Sequence, residues 1–384
     1  MKEIVVSKFG GSSVKNAESM LRCCKIIESK NIEISQLIVI SATQFTTNQL
    51  EIFAEFAKLN DREKLKEIGN EIFKKHTDLA SDLFSSKETH VLLQNLFEEL
   101  LSIGEIISAE KTVRKNVMAK LYGIGERISS LIFTDLLKLR MPNRKIIYFD
   151  VTKVLKTDSN YLKAKPNLHQ IEEFSNKLLM PLIKEDYLIV TQGFIAKDNF
   201  DDWTILGREG SDYTATLLGS ALNAKFVEIW TDVPGVASID PRLSKNAFFY
   251  SELSYNDSTD LAINGAKVLF PDTLLPTKTK SIPVFVGSSI NPELGGTWIS
   301  EEKNKKVIFF GITSLKINES IFITCFIPAN HDEFKKIIMN NFENKGLKFV
   351  ENTKNAIKFK LTNFEMEKEI LVFGNDLLLK FFRV

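Results

Sequence analysis

Short runs of β-branched and apolar residues recur along the first three quarters of the chain, and most are continuous rather than alternating in polarity. They are EIVVSKF, QLIVIS, KIIYFDV, DYLIVTQGF, KFVEIWTDV and SIPVFVGSS. Continuous apolar runs are typical of strands that are covered on both faces. Helical patterns lie between several runs, such as the spacing of Ala17, Leu21 and Cys24. The chain is therefore predicted to be α/β, with a mainly parallel sheet sandwiched by helices.

Glycine and proline are scarce in the segment after the second run. The first proline is Pro142, and glycine is rare between Gly11 and Gly123. Because these two residue types are the strongest local breakers, residues 48–120 are predicted to be largely helical.

The pattern changes after the turn-like segment INPELGGTWIS. The charged residues 301–306, EEKNKK, are interpreted as a linker between a domain of residues 1–300 and one of residues 307–384. The second domain is predicted to contain a strand in GITSLKINESIFITCFI, a helix in HDEFKKIIMNNFEN and strands in GLKFVEN, AIKFKLTN and EILVFG. This order of elements predicts a small α+β module.

Composition and charge narrow the class of protein. With 384 residues, 44% hydrophobic and 26% charged, the chain is expected to be a soluble protein of more than one domain. Its 50 Lys and Arg against 49 Asp and Glu leave a formal charge of +1, so no global field recruits nucleic acid or an anionic membrane. The apolar runs are shorter than the roughly 20 residues that span a bilayer, and no secretory signal pattern opens the chain. We expect a cytoplasmic protein that binds neither nucleic acid nor a membrane.

Common catalytic and metal-binding motifs are not found. The three cysteines and four widely separated histidines form no CxxC pair, HExxH motif or Cys/His cluster. The chain also lacks a GxSxG elbow, a Walker P-loop and a GxGxxG motif after a strand. The sequence therefore gives little support for a serine hydrolase, a zinc site or one of the common nucleotide-binding folds.

A first candidate site is Lys8-Phe-Gly10-Gly11-Ser12-Ser13, between a predicted strand and a helix with Ser13 as its N-cap. Glycine lets the backbone approach a ligand, and the N–H groups at a helix start attract anions. Lys8 adds positive charge at the carboxyl end of the strand, where ligands of open α/β sheets bind. The segment predicts a phosphate site, although a structural strand-to-helix turn has the same pattern.

Two further segments combine glycine with charged residues. GIGERISS, residues 123–130, predicts a helix with Glu126 in its first turn, where the carboxylate either caps the helix or binds an ammonium group. TILGREGSDYTA, residues 204–215, predicts an exposed loop in which Arg208 clamps a carboxylate, followed by a helix capped at Ser211. A structural loop seldom needs so many polar groups in one place.

The region after residue 226 supplies candidates for binding a nucleotide. Thr231 and Asp232 follow a predicted strand in WTDVPG, although an Asx turn also explains Asp232. Arg242 in DPR and Lys267 in GAK add positive charge, and a solvated surface lysine is the alternative for Lys267.

Taken together, these segments resemble the aspartate kinases of the amino acid kinase superfamily. KFGGSSV is similar to that family's KFGGTSV opening, GERISS to its GERLS segment, and LGREGSDYTA to its glycine, arginine and serine-aspartate loop. WTDVPGV, DPR, GAKVLFP, IPV and NPELGGT follow in the family's order, so the similarity covers residues 2–300. The resemblance implies the amino acid kinase fold with a C-terminal ACT-like module.

The resemblance also implies an activity: transfer of the ATP γ-phosphate to the β-carboxylate of L-aspartate, the first step towards lysine, threonine and methionine. Mg²⁺ would be held mainly by the ATP phosphates rather than by protein groups. Glu126 would meet the α-ammonium of aspartate and Arg208 its α-carboxylate. The implied residues are Ser41, Thr47, Glu126, Phe194, Arg208 and Ser211 for aspartate, Lys8, Gly10, Gly11, Ser12, Thr231, Asp232, Arg242 and Lys267 for ATP, and Lys8, Asp212 and Lys267 for catalysis.

The expected chemistry agrees with the residues that are present. A carboxylate with a pKa near 3.9 is already ionised at pH 7, so it needs no general base. The barrier is charge repulsion, since two unit charges 4 Å apart repel by about 4 kcal/mol at an effective dielectric constant of 20. Lys8, Lys267, backbone N–H groups and Mg²⁺ are expected to offset several such repulsions.

Some positions depart from the family's pattern. Ala237 and Phe270 stand where the family often has a larger residue and a histidine, which bears on nucleotide affinity. The family commonly ends in two ACT modules, whereas residues 307–384 have room for a single or a degenerate ACT-like module. Inhibition by lysine or threonine is therefore left open. A single module with an exposed face would still pair two chains, so a homodimer is expected. Two alternatives remain: an amino acid kinase with a glutamate-like, other carboxylate or carbamate acceptor, and a non-catalytic ligand sensor of the same fold.

Overall fold

The computed structural model describes residues 2–266, 269–301 and 308–382. Contacts divide the chain into two units, the first formed by Met1–Val233 and Leu275–Glu293 and the second by Pro234–Leu274 and Leu294–Val384. Apart from Glu301, the predicted linker at residues 301–306 lies outside the described residues. The domain boundary expected there stays a prediction.

Strands and helices alternate along most of the described chain. The strands are β1 (Glu3–Phe9), β2 (Ile34–Ile40), β3 (Ile146–Phe149), β4 (Leu188–Gln192), β5 (Ile195–Lys197), β6 (Trp203–Ile205), β7 (Phe226–Thr231), β8 (Glu252–Ser254), β9 (Val284–Ser288), β10 (Gly296–Ser300), β11 (Gly311–Ile317), β12 (Ser320–Phe326), β13 (Lys348–Asn352) and β14 (Ala356–Leu361). The helices are α1 (Ala17–Glu28), α2 (Thr46–Lys58), α3 (Arg62–Asp82), α4 (Lys87–Glu110), α5 (Lys115–Arg140), α6 (Leu168–Lys184), α7 (Gly210–Ala221), α8 (Tyr255–Ile263), α9 (Pro271–Thr279), α10 (Asp332–Asn344) and α11 (Glu367–Phe382).

A parallel sheet forms the centre of the first unit. Its strands lie in the order β3–β4–β2–β1–β7–β9, and each neighbouring pair is parallel. On one face, Ile38, Ile40 and Trp230 share a core with residues of α1–α5. On the other face, α7 packs so closely on β7 that a Cβ at Gly219 would lie 2.4 Å from Val227 Cγ2. Both faces are covered, which confirms the predicted sheet sandwiched by helices and explains its continuous apolar runs.

The segment between β2 and β3 is helical, which confirms the prediction for residues 48–120. It forms α2–α5. Asp61 caps α3 by accepting a hydrogen bond from the Lys64 N–H, and Ser86 caps α4 by accepting one from the Thr89 N–H. Within the described ranges, no helix combines the length and hydropathy that a membrane crossing requires.

The second unit contains an antiparallel sheet in the order β11–β12–β14–β13 and a parallel pair, β8 and β10. Phe334 and Phe342 of α10 and Leu378 of α11 share a core with Ile323 and Phe359 of the antiparallel sheet. This arrangement confirms the predicted C-terminal α+β module and is compatible with an ACT-like module.

Two sequence-based details of this module are wrong. The segment EILVFG, predicted as a strand, is part of α11, where Ile370, Leu371, Gly374 and Leu378 are buried at helical spacing. The helical repeat continues through the following residues and outweighs the strand propensity of Ile and Val. The segment predicted as one long strand is a hairpin, β11 and β12, that turns at Asn318 with a φ of 54°.

Candidate active site

The carboxyl ends of four neighbouring strands meet at one edge of the parallel sheet. Phe9 of β1 lies opposite Ile40 of β2 and Trp230 of β7, and Ile40 lies opposite Gln192 of β4. Because the strands are parallel, the segments that follow them also meet there, and these are 10–13, 41–47, 193–194 and 232–233. Ligands of open α/β sheets bind at such an edge.

A cavity of about 280 Å³ opens at this edge, within the first unit. Its wall comes from β1, α2, α5, α7 and the loops that follow β1, β2, β4 and β6. The structure therefore brings together predicted site residues that are far apart in sequence: Lys8, Gly11, Ser41, Thr47, Glu126, Phe194, Ser211 and Asp212.

An ion pair between Lys8 and Asp212 forms one side of the cavity. Lys8 Nζ lies 2.5 Å from Asp212 Oδ1, and the two side chains are 9% and 11% exposed. β1 supplies the lysine, and the first turn of α7 supplies the aspartate, whose charge suits the positive end of the helix dipole. The pairing fixes the Lys8 ammonium group at the cavity, where it can meet a phosphate oxygen.

The Gly10–Ser12 turn places backbone donors beside Lys8. The Gly10 N–H donates to the Trp230 carbonyl at 3.1 Å, whereas the N–H groups of Gly11 and Ser12 have no acceptor among the residues that the structure describes. A Cβ on Gly11 would lie 2.8 Å from the Ala42 carbonyl oxygen, so this close approach requires glycine. The two free donors are suited to an anion.

The predicted N-cap at Ser13 is wrong. The Ser13 side chain is buried and lies 2.7 Å from Ser289 Oγ, while α1 begins at Ala17 after its N-cap, Asn16. The glycine turn is therefore separated from the helix start, and its anion-binding groups are those of the turn itself.

Glu126 lies in the middle of α5, so its predicted place in a first turn is wrong, and so is the capping alternative. The helix continues through Gly123 and Gly125. These glycines mark places where neighbouring elements pack closely against the helix, not a helix start. A Cβ on Gly125 would lie 2.9 Å from Ala42 Cβ. This close packing brings the helix against the loop after β2 and directs Glu126 into the cavity wall.

The Glu126 carboxyl group is buried and incompletely paired. Its Oε2 atom has no hydrogen-bond partner among the described residues. Burial raises the pKa of Glu126 to about 8, and a hydrogen bond from the Ala42 N–H partly offsets that rise. An ammonium group beside Oε2 would favour the ionised carboxylate. A cationic group is therefore a ligand that would complete the contacts of this carboxyl group.

Three non-glycine residues of the cavity wall have left-handed backbone conformations. They are Phe45, Phe194 and Glu209, with φ values of 67°, 72° and 54°. Such conformations cost about 1–3 kcal/mol each and persist only where the surrounding structure holds them. Phe194 is held by its N–H, which donates to Thr214 Oγ1 at 2.9 Å. The cavity wall is thus a region of fixed, strained backbone.

The predicted N-cap at Ser211 is also wrong. α7 begins at Gly210 with Glu209 as its N-cap, and Ser211 lies in the first turn. Gly193 approaches this turn so closely that a Cβ there would lie 2.5 Å from Ser211 Cβ. Ser211 and Asp212 are both placed on the cavity by that contact.

Arg208 lies between two residues of the wall, Gly207 and Glu209, but its exposed side chain does not line the cavity. The guanidinium group has no hydrogen-bond or ion-pair partner in the described part of the chain. It is therefore available to a ligand carboxylate.

Among the residues that the structure describes, those predicted to bind the nucleotide do not line the cavity, apart from Lys8 and Gly11. Thr231 ends β7, and its hydroxyl donates to Asp232 Oδ1 at 3.1 Å. Arg242 belongs to the second unit, where its Nε and Nη2 atoms donate to Asp240 at 2.9 and 2.6 Å. Lys267 lies outside the described residues.

Part of the cavity wall was missed by the sequence analysis. The additional lining residues are Ala42, Thr43, Gln44, Phe45, Gly207, Glu209 and Gly210. All of them lie within the segments ISATQFTTN and LGREGSDYTA that carried the prediction, so their proximity in sequence was the available signal. Across the described residues, no group of three or more His, Cys, Asp or Glu side chains is placed to hold a metal ion.

Comparisons with known proteins agree with this geometry. The model of the amino acid kinase family matches residues 3–288. Lysine-sensitive aspartokinase 3 of Escherichia coli is 37% identical over 323 residues, which cover 84% of this chain and 69% of that protein. Aspartokinase of Chlamydia trachomatis is 31% identical over 321 residues, which cover 83% of this chain and 70% of that protein.

Solved structures show the same relationship. The crystal structure of E. coli aspartokinase III in complex with aspartate and ADP, in its R-state, matches with a TM-score of 0.76 at 31% identity, covering 94% of this chain and 79% of that one. The T-state complex with lysine and aspartate matches with a TM-score of 0.74 at 30% identity, covering 98% and 82%. This chain belongs to the amino acid kinase family and, within it, to the aspartokinases.

Proposed function

We propose that the cavity binds L-aspartate and that the chain transfers the γ-phosphate of ATP to the aspartate β-carboxylate, giving 4-phospho-L-aspartate. One observation carries the proposal: a single cavity holds both the Lys8–Asp212 ion pair and the buried, half-paired Glu126 carboxyl group. A related protein of known structure binds aspartate and ADP. The reaction would be a first step towards lysine, threonine and methionine.

The amino acid end of the substrate would be held by two opposite charges. Glu126 Oε2, which lacks a partner among the described residues, would accept hydrogen bonds from the α-ammonium group. Arg208 would hold the α-carboxylate from the mouth of the cavity. Ser41, Thr47, Phe194 and Ser211 would complete the pocket, with Ser41 fixed by the Ser129 hydroxyl, which donates to its carbonyl at 2.6 Å. Holding both charged groups leaves the β-carboxylate free to react.

The reacting end needs positive charge rather than a base. The β-carboxylate is ionised at neutral pH, so no proton has to be removed before it attacks phosphorus. Two unit negative charges about 4 Å apart repel by about 4 kcal/mol at an effective dielectric constant of 20. Lys8 and the N–H groups of Gly11 and Ser12 would lie at the transferring phosphate and stabilise its charge. Asp212 holds Lys8 in place by its ion pair.

The nucleotide would lie across the Gly10–Ser12 turn. Thr231 and Asp232 would contact it from the end of β7, and Arg242 and Lys267 would contribute from the region after that strand. We propose that Mg²⁺ arrives with ATP, because the described residues offer no cluster of ligands for it. When bound to the phosphates, Mg²⁺ would neutralise part of their charge.

Two further properties are proposed. The chain would form a homodimer through its C-terminal module, whose edge strand β13 is exposed along its whole length. It would act in the cytoplasm, where ATP and aspartate are available.

A coupled ADP-release assay tests the function and its alternatives. The chain is supplied with ATP and Mg²⁺ and with L-aspartate, L-glutamate or no acceptor. ADP release that requires aspartate supports the proposal. A preference for glutamate would favour another carboxylate kinase of this family, since one methylene group changes binding by only about 1–3 kcal/mol. Binding of aspartate without ADP release would favour a ligand sensor.

A further inference from the structure

Two neighbouring side chains of α3, Lys75 and His76, hold the cavity segment Ser41–Thr47, here called the 41–47 loop. It consists of the loop after β2 and the first two residues of α2. His76 Nε2 lies 2.9 Å from Thr43 Oγ1, and Lys75 Nζ lies 2.8 Å from the Gln44 carbonyl oxygen. His76 is buried, and neither side chain lines the cavity. They contact the 41–47 loop from outside the cavity, whereas residues of the same loop line the cavity.

The protonation of His76 follows from its partners. His76 Nδ1 lies 2.7 Å from the carbonyl oxygen of Ile72, which can only accept a hydrogen bond. Nδ1 therefore carries the hydrogen, and in the neutral ring Nε2 is an acceptor. Burial lowers the pKa of His76 to about 4, so the ring is neutral at pH 7. Consequently the Thr43 hydroxyl must donate to Nε2.

This assignment fixes the direction of the next two hydrogen bonds. Thr43 Oγ1 and Thr46 Oγ1 lie 2.7 Å apart, and the Thr43 hydrogen is already used, so Thr46 donates to Thr43. Lys75 Nζ, 3.0 Å from Thr46 Oγ1, then donates to Thr46. Hydrogen bonds thus run one way from Lys75 through Thr46 and Thr43 to His76 and on to the Ile72 carbonyl. We call this series the Lys75–His76 chain.

The remaining donors of Lys75 are matched to acceptors. Its ammonium group has three N–H bonds, and its acceptors are the Gln44 carbonyl at 2.8 Å, Thr46 Oγ1 at 3.0 Å and Gln49 Oε1 at 3.5 Å. Lys75 has no carboxylate partner among the described residues, and burial lowers its pKa. Its ammonium group therefore acts as a junction between α3, the 41–47 loop and the start of α2.

We propose that Lys75 and His76 are positioning residues that keep the 41–47 loop in the conformation which binds the amino acid substrate. The inference rests on the proposed function, because it assigns Ser41 and Thr47 of that loop to the acceptor. The Lys75–His76 chain holds Thr43 and Thr46, which lie on either side of Phe45. Phe45 has a left-handed backbone with a φ of 67°. Hydrogen bonds on both sides of this residue maintain a conformation that the loop alone would not favour.

The loop also connects the two halves of the cavity. The Gln44 N–H donates to the Gly11 carbonyl at 3.1 Å, and the Ala42 N–H donates to the Glu126 carboxyl group. Loosening the loop should therefore affect the acceptor pocket first and the glycine turn less, because the turn keeps its own bond to Trp230. This difference distinguishes positioning from a general loss of structure.

The test measures steady-state kinetics of Lys75→Met beside a matched control, Lys74→Met. Lys74 precedes Lys75 on α3, its side chain is 77% exposed, and its ion pair with Asp78 lies on the helix surface. We expect Lys75→Met to raise the KM for aspartate about tenfold, with the KM for ATP and the melting temperature near those of Lys74→Met. An unchanged KM for aspartate would overturn the proposal. A fall of kcat and melting temperature together with equal rises of the KM for aspartate and the KM for ATP would overturn it as well.

His76 supplies a second pair of variants. His76→Leu removes the acceptor for Thr43, whereas His76→Gln retains an acceptor near the position of Nε2. We expect the leucine variant to raise the KM for aspartate and the glutamine variant to recover most of the loss. Equal kinetics in the two variants would contradict the inferred direction of hydrogen bonds in the Lys75–His76 chain.

A readout without turnover separates this inference from the proposed function. Amide hydrogen exchange of Gln44, Phe45 and Thr46 should be faster in Lys75→Met than in Lys74→Met. If the unaltered chain does not phosphorylate aspartate, the proposed function fails, while faster exchange in this loop alone would still support its positioning by Lys75. Equal exchange in the two variants would overturn the positioning role whatever the activity.

Discussion

The cavity has two walls that satisfy their charges in different ways. In the phosphate wall, formed by Lys8, Asp212 and the Gly10–Ser12 turn, the lysine and the aspartate already neutralise each other. In the acceptor wall, formed by Glu126 and the 41–47 loop, the carboxyl group keeps one oxygen without a partner among the described residues. The acceptor wall is therefore suited to a cationic ligand beside Glu126. In the phosphate wall the two charged side chains pair with each other, and the N–H groups of Gly11 and Ser12 remain for an anion.

This difference indicates what each ligand has to change. An incoming phosphate must compete with Asp212 for the Lys8 ammonium group. An incoming amino acid meets a carboxyl group that burial holds protonated, and its ammonium group must drive out that proton. Variants in each wall should therefore affect different kinetic constants.

The largest effect is expected in the phosphate wall. Lys8→Ala should lower turnover about 10³-fold, because it removes the positive charge that we propose stabilises the transferring phosphate. It also leaves Asp212 buried and unpaired, so the melting temperature should fall, and the double variant with Asp212→Ala should recover stability but not turnover. Turnover is measured by trapping the acyl phosphate with hydroxylamine, with Lys15→Ala as the exposed control. Near-normal turnover of Lys8→Ala would contradict this assignment.

Lys267 should behave like Lys8 in turnover if it also lies at the phosphate. We expect Lys267→Ala to lower turnover by orders of magnitude while the circular dichroism spectrum stays unchanged. A variant with normal turnover would remove Lys267 from the site and leave Lys8 as the lysine that carries the phosphate wall.

In the acceptor wall, Glu126→Gln should raise the KM for aspartate about 100-fold, because truncating one partner of a buried charge pair costs about 2–5 kcal/mol. The KM for ATP should change little, since we propose that the nucleotide binds at the phosphate wall. Kinetics with each substrate varied in turn separate the two constants. Equal increases in both KM values would show that the walls are not independent.

The acceptor wall should also respond to pH. Because the pKa of Glu126 is raised to about 8, the carboxyl group must lose a proton below that pH before it pairs with an ammonium group. The KM for aspartate should therefore rise by up to tenfold for each pH unit below 8. In Glu126→Gln this dependence should disappear, and its persistence would assign the titration to another group.

Stability gives the same titration a second readout. From the usual pKa of 4.5 to about 8, the folded chain keeps a proton on Glu126 that the unfolded chain has lost. The free energy of unfolding therefore falls as pH rises through this range. His76, whose pKa is lowered from 6.5 to about 4, has the opposite effect at lower pH. Urea unfolding between pH 6.5 and 8, without substrate, should show a decline in the unaltered chain that Glu126→Gln lacks.

The smallest effect is expected at Glu209, which also lines the cavity. Glu209→Gly removes a side chain from a backbone with a φ of 54°, which should raise the free energy of unfolding by about 1 kcal/mol. It also removes a negative charge from the cavity, so the KM for aspartate should fall slightly. A lower midpoint in urea would show that the contacts of the Glu209 side chain outweigh the backbone strain.

The sequence predicted the parts of the site that follow from local chemistry. Strand ends carry Lys8 and Thr231, and parallel order brings such ends together, so the phosphate wall could be expected from the segments themselves. The sheet was predictable for the same reason, because continuous apolar runs are buried on both faces.

The acceptor wall could not be predicted in the same way, because it depends on packing between residues that are distant in the sequence. Glycine before Glu126 indicated a helix start, but Gly123 and Gly125 serve to bring α5 close to its neighbours. The Lys75–His76 chain joins residues about thirty positions apart, and a lone histidine gives no local signal of its partner. The segment EILVFG was predicted as a strand because its own residues favour one. Its helical state becomes evident only from the spacing of buried residues further along α11.

The most direct test of the account is to identify the product of the unaltered chain with ATP, Mg²⁺ and each of two acceptors. With hydroxylamine present, L-aspartate should give its β-hydroxamate in a one-to-one ratio with ADP, and L-glutamate should give little or none. Hydroxamate formed from glutamate as fast as from aspartate, or ADP release without any hydroxamate, would contradict an acceptor wall built for the β-carboxylate of aspartate.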